Sequence, residues 1–172
     1  MAETTPRPAQ AVGPADEPRW LTADEQVAWR SYLLGSARLA EALNRQLEED
    51  AGISLSEYEI LVRLSEAPLR TIRMSELAAS LMHSRSRVTH TVTRMQKRGL
   101  VDRRTCLDDG RGVNCVMTEA GWQLLVRSAP GHVRAVRENL VDLLPAGQFA
   151  ALGEAMGAVA RGPARDASDV TG

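Results

Sequence analysis

The stretch SRSRVTHTVTRMQKRGLVDRRTCLDDGRGVNCVMTEAG, residues 84–121, decides the fold. In its first half Val88, Val92 and Met95 recur at spacings of four and three, one apolar stripe on a polar segment. Ser84 suits an N-cap, and Gly99 supplies the left-handed residue that ends a helix, with Leu100 as the hydrophobic contact beyond it. The spacing predicts a helix over 85–98. The second half changes period. Two β-leaning runs flank Asp108-Asp109-Gly110-Arg111-Gly112, whose Asp-Gly and following glycine suit a hairpin turn. Thr118, with Gly121 close behind, then caps a further helix.

Upstream, Ser75 opens a small helix through Leu77, Ala78 and Leu81, and Met82-His83-Ser84 breaks it. Thr71-Ile72-Arg73 reads as a short extended link. Ser54 caps a helix through Tyr58, Ile60, Leu61 and Leu64 that Pro68 ends. Before it, Leu33, Ala37, Ala40 and Leu47 mark a long helix over about 22–49, with Thr22 and Glu25 as a capping box and Gly52 as its stop. Downstream, Trp122, Leu125, Val126, Ala129, Val133, Val136, Leu140 and Leu144 form a second long stripe. Pro130-Gly131 should kink or split it, and Pro145 opens a last helix carrying Phe149, Leu152, Met156 and Val159. Short helix, tight turn, helix and hairpin in that order describe a winged helix-turn-helix. The expected fold is therefore mainly α with a small β-hairpin wing, flanked by N- and C-terminal helices.

Charge is distributed unevenly over a chain whose net is −1. Residues 70–111 carry nine Arg and one Lys against four acidic residues, a net of +6, while residues 1–69 stand at −6. A basic block on a neutral protein points to an anionic partner. The helix over 85–98 leaves Ser84, Arg85, Ser86, Arg87, Thr89, His90 and Arg94 for that partner, with Arg85 and Arg87 in the first turn. Cations there oppose the helix dipole, a local conflict that phosphates would relieve. Arginine also matches the guanine edge in the major groove with two hydrogen bonds. Double-stranded DNA is the partner this chemistry fits.

Several classes are excluded or disfavoured. No apolar run approaches the roughly 18 residues a membrane span needs, and no signal peptide is evident, so the expectation is a cytoplasmic chain away from membranes. Cys106 and Cys115 are too few for a disulfide scaffold. His83, His90 and His132 are scattered, so neither metal nor cofactor is expected. Catalytic motifs are missing, with no phosphate-binding glycine loop, nucleophile elbow or paired base, and the chain is not expected to be an enzyme.

The segment 84–121 resembles the MarR (multiple antibiotic resistance regulator) family of bacterial transcription factors. The residues that carry the resemblance are Thr89, Met95, Gly99-Leu100-Val101, Arg103 or Arg104, Asp109, Arg111 and Thr118-Glu119-Ala120-Gly121. Cys115 stands where the family usually has a branched aliphatic residue, and Pro130-Gly131 interrupts the long helix. The resemblance implies a homodimer, usually a repressor, with Arg111 reaching the minor groove from the wing and Asp109 orienting it; the same pair also fits a salt bridge that staples the hairpin. It divides the chain into a dimerisation helix 20–53, a winged helix-turn-helix 54–118 (recognition helix 85–98, wing 100–118) and dimerisation helices 119–161, while composition without apolar periodicity marks 1–19 and 162–172 as disordered tails. The long apolar stripes agree, since one small winged domain cannot cover them. A twofold dimer expects a pseudo-palindromic site.

A small-molecule effector, phenolic or another anionic aromatic, also follows from the resemblance. Trp29, Tyr32, Tyr58 and Trp122 are candidate liners of its pocket, with a core or interface role as the alternative for each. If the hairpin folds symmetrically about Gly110-Arg111, Cys106 and Cys115 face each other, and Arg103, Arg104 and Arg111 would lower a thiol pKa. A switch by thiol oxidation is thus an alternative, but oxidant-sensing relatives keep their cysteine near the N-terminal helices, where this chain has none, and two packed or exposed thiols without a role are the preferred reading. A winged-helix protein-interaction module is the rival from another class, but it has no need of Arg85, Arg87, Arg94 and Arg111 on one face.

Overall fold

Short polar side chains start four of the six α-helices among the described residues. The computed structural model describes residues 18–105, 112–145 and 147–162. Its elements are α1 (Ala23–Ala51), α2 (Leu55–Glu66), β1 (Thr71–Arg73), α3 (Met74–Ser80), α4 (Arg85–Lys97), β2 (Val101–Thr105), β3 (Val113–Met117), α5 (Glu119–Asn139) and α6 (Gln148–Arg161). Before α1, the Thr22 N–H donates to the Glu25 carboxylate at 2.8 Å and the Glu25 N–H to the Thr22 hydroxyl at 3.2 Å. Ser54 and Glu57 repeat that reciprocal box before α2. The Ser84 hydroxyl accepts from the Arg87 N–H at 3.2 Å, and the Thr118 hydroxyl from the Gly121 N–H at 3.1 Å. Each such cap is worth about 1 kcal/mol.

The C-terminus of α4 ends as its glycine demands. Gly99 has φ +71°, its N–H donates to the Gln96 carbonyl at 2.9 Å, and the Leu100 N–H reaches back to Met95 at 3.0 Å. This Schellman closure turns the chain straight into β2. Next to it, the Thr118 N–H donates to the Leu100 carbonyl at 3.1 Å and the Thr118 hydroxyl to the Gly99 carbonyl at 2.7 Å. A Cβ at Gly121 would run into the Leu100 carbonyl oxygen, so only glycine lets the first turn of α5 sit there.

The sheet has the order β1-β3-β2, antiparallel throughout. Thr71–Arg73, expected as a link, is a third strand that pairs with Val116–Asn114 of β3. The hairpin register also departs from symmetry about Gly110-Arg111. Val101 pairs with Met117 and Arg103 with Cys115, so Cys115 does not face Cys106. The closed end sets this register, because the bonds joining Gly99 and Leu100 to Thr118 fix the pairing at the end of the hairpin away from the turn. Cys106 itself lies outside the described residues, as do Asp109 and Arg111 and most of both proposed tails.

Two compact units divide the chain at Ser36. The second holds the core: Leu47, Ile53, Ile60, Leu61, Leu64, Leu77, Val88, Val92, Met95, Val101 and Cys115 are each less than 2% exposed. Burying such a side chain contributes about 1.5–3 kcal/mol. Three boundaries differ from expectation. Helix α3 starts at Met74, so Ser75 is not its cap, and α6 starts at Gln148 behind a left-handed Gly147, so Pro145 precedes it. Helix α5 runs through Pro130 unsplit. Beside the proline, Gly131 brings α5 against Gln46 and Asp50 at the end of α1.

Candidate nucleic-acid interface

Helix α4 divides cleanly by face. Val88, Val92 and Met95 are at most 1% exposed and anchor it to the core, with Thr91 buried beside them. On the other side Ser84, Arg85, Ser86, Arg87, His90 and Arg94 are exposed and Thr89 is half-buried, its carbonyl accepting the Thr93 hydroxyl at 2.8 Å. Lys97 and Arg98 extend this cationic side to the C-terminal end of the helix. The N-terminus of α2 meets α4 in a notch of about 580 Å³ lined by Ser54, Ser56, Arg87, His90, Arg94 and Lys97. Arg87 Nη2 lies 3.5 Å from the Ser56 hydroxyl, which holds its guanidinium over the notch.

Beneath the notch is Glu57, 5% exposed. Its Oε2 accepts the Ser54 N–H at 2.9 Å and lies 3.5 Å from Arg98 Nη1, while Oε1 lies 3.8 Å from Arg94 Nη2. Sequence reasoning passed over this residue. The Ser54-x-x-Glu57 spacing is a capping-box signature and was available as a signal, but its pairing with arginines on α4 is tertiary. By contrast the Arg104–Asp102 pair at 3.5 Å on β2 is exposed on both sides and contributes little.

A second concavity, about 540 Å³, lies on the far side of α2. It joins Leu43 of α1, Tyr58, Glu59 and Val62 of α2, the turn Ser80–His83 that leads into α4, and His132 of α5. The Tyr58 and His132 rings are 4.3 Å apart at a 43° tilt. Burial holds the His132 pKa below the usual histidine range and the Tyr58 pKa above that of tyrosine. His132 Nδ1 is buried without a hydrogen-bond partner. Two histidines that look scattered in sequence, His83 and His132, thus share one cavity.

The other three candidate aromatics are elsewhere engaged. Trp29 and Tyr32 stack on each other at 5.8 Å in the N-terminal unit. Trp122 packs against the core and carries the Arg70 guanidinium 4.1 Å above its ring. Cys115 is fully buried, and desolvation pushes its thiol up to about 12, outweighing the opposing pull of Arg103. The lowered thiol pKa expected from neighbouring arginines is therefore corrected for Cys115. Among the described residues no group of three or more His, Cys, Asp or Glu is placed to hold a metal ion, and no helix is long and apolar enough to cross a membrane.

A helix-turn-helix followed by a two-stranded wing, its sheet completed by the strand that precedes the first helix, with a cationic outer face on the second helix, defines the winged-helix regulators. Residues 53–113 match the MarR family model. Sco3205, a MarR family transcriptional regulator from Streptomyces coelicolor solved in complex with DNA, is 46% identical over 88% of this chain and 94% of its own, with a TM-score of 0.83. AbsC, another MarR family regulator from Streptomyces coelicolor, is 40% identical over 84% of this chain and 97% of its own, with a TM-score of 0.78. The transcriptional repressor MprA of Escherichia coli K12 is 30% identical over 94 residues, which span 55% of this chain and 53% of that relative, about half its length. The chain belongs to the MarR family of transcriptional regulators.

Proposed function

We propose that this chain acts in the cytoplasm as a homodimeric repressor that binds a pseudo-palindromic DNA operator and is released by a small molecule. The outer face of α4 carries this reading. Its apolar stripe is spent on the core, and what remains is a row of cations and short hydrogen-bonding side chains of the width a major groove admits. Ser84, Arg85, Ser86, Arg87, Thr89, His90 and Arg94 are the assigned DNA contacts, with Asp109 and Arg111 on the wing. Helices within 20–53 and 119–161 are assigned to dimerisation, because α6 buries no residue and α1 only Leu47 in the single chain. The cavity beside Tyr58 is assigned to the effector: it reaches the His83 turn, so an occupant bears on the entry to α4. Trp29 and Tyr32 go to the interface between copies and Trp122 to packing.

The test is fluorescence anisotropy on DNA from the upstream region of the protein's own gene, and on duplexes selected from a random pool, across a salt series. Neutralising about 8 phosphates per dimer gives a log–log slope near −7. Arg87→Ala should cost about 1–3 kcal/mol on the preferred site and relax selectivity there if it reads a base. An equal loss on all sequences would reassign Arg87 to a phosphate. A folded dimer that selects no DNA sequence would favour a protein-interaction module instead.

A further inference from the structure

Glu57 has a job that capping a helix does not explain. A carboxylate this buried costs several kcal/mol unless it is paired. Ser54 supplies two donors from its own element, N–H at 2.9 Å and hydroxyl at 3.2 Å, and that alone would complete the cap. Yet among the described residues the cations paired with it are Arg94 and Arg98, one turn apart on the DNA-facing helix, at 3.8 and 3.5 Å. Their side chains remain 63% and 41% exposed while the carboxylate is 6% exposed. The charge that satisfies Glu57 is thus drawn from the surface that the proposed function offers to phosphates. A carboxylate and a phosphate attract a guanidinium by the same negative charge, so the two compete for it.

We propose that Glu57 sets DNA selectivity by acting as an internal phosphate surrogate, holding Arg94 by one edge and withholding Arg98 from the DNA backbone. The proposal rests on the DNA-binding reading above. Non-specific binding is almost wholly electrostatic, whereas specific binding also draws on base contacts. On cognate DNA the base contacts fix the seat, and a freed arginine gains only where that seat places a phosphate. On random DNA the protein shifts until the arginine finds one. Occupying the two arginines internally therefore weakens wrong binding more than right binding.

The experiment compares the wild-type chain with Glu57→Gln and Glu57→Asp, on selected duplexes and on the unselected pool, across a salt series, with melting temperature measured alongside. Glutamine at this position keeps a capping box and loses the charge; aspartate keeps the charge on a shorter arm. Glu57→Gln is expected to bind the pool about fivefold more tightly. Its salt slope should steepen by about 1 per protomer and its selectivity should fall. Glu57→Asp should resemble the wild type in slope. A purely structural role would instead make the aspartate variant at least as disturbed as the glutamine one, and an unchanged slope and selectivity in a well-folded Glu57→Gln overturns the proposal. Should that variant not fold, Arg98→Gln decides: no change in the pool slope supports a withheld Arg98, and a slope shallower by about 1 per protomer overturns it. A wild-type chain that binds neither DNA removes the regulator reading and this inference together, whereas selective wild-type binding with an unresponsive Glu57 removes this inference alone.

Discussion

The Cys115 thiol sits in β3 opposite Arg103, a cation that on its own would stabilise a thiolate. Burial wins because the sulfur has no contact with water while the Arg103 side chain is exposed to it, and the pKa rises to about 12 from 9.0. An oxidant-sensing thiol needs the opposite, a low pKa and access, so Cys115 is packing. The sign of the pH effect follows. The folded chain keeps this proton up to about pH 12 and the unfolded chain releases it near pH 9, so stability is complete below 9 and is lost as pH rises towards 12. The loss is at most about 1.4 kcal/mol per pH unit. Urea unfolding between pH 8 and 11 should show this decline in the wild type, and Cys115→Ala should lack that component. Equal slopes in the two proteins would mean that the thiol is not desolvated. Alkylation at pH 8 should likewise spare Cys115 until urea is added.

Where α4 passes into the wing and α5, several contacts converge on two backbone carbonyls. Thr118 bonds Gly99 and Leu100, and Gly121 lies against the Leu100 oxygen. Gly121→Ala leaves helix propensity improved yet forces a methyl into a backbone atom, so α5 must move off the sheet. We expect a net loss of about 1–3 kcal/mol, read as a lower urea midpoint with an unchanged m-value; a neutral or stabilised variant would show that the contact relaxes without cost. The same junction marks how far the sequence could be read. The Thr22, Ser54, Ser84 and Thr118 caps, the Gly99 stop and the two strands are local chemistry and were legible. The strand register was not, because the bonds from Thr118 to Gly99 and Leu100 that fix it join residues on either side of the hairpin, while the Asp-Gly turn suggested a different centre. The third strand was missed for a related reason: Thr71–Arg73 is too short to declare itself and exists only because β3 offers it an edge. The cationic side of α4 was visible from charge and period alone. Glu57 and the His83–His132 cavity were not, since each needs elements brought together by the fold.

A single copy of this chain leaves its terminal helices unfinished. Helix α6 buries none of its residues, with Phe149 at 45% and Val159 at 69% exposure, and the N-terminal part of α1 exposes Val27, Leu33 and Leu34 together with the Trp29–Tyr32 pair. Exposed apolar faces this extensive mark contact sites rather than ordinary surface, and the homodimer proposed above would cover them with a second copy. Leu140 belongs to the apolar stripe expected along α5, but it is half-buried at the C-cap of that helix, so a charge there would disturb the fold as well as any interface. Phe149 separates the two effects. Because Phe149 is 45% exposed and lies outside the core cluster, Phe149→Asp should leave circular dichroism and core stability close to the wild type while shifting sedimentation from dimer to monomer. Two half-sites are then read by separate molecules, so affinity for a two-half-site duplex should fall by about 10²–10⁴ as the effective concentration of the second recognition helix is lost. Affinity for an isolated half-site should stay the same. A Phe149→Asp chain that sediments as a dimer and keeps its full-site affinity would place the interface on another face and take α6 out of it.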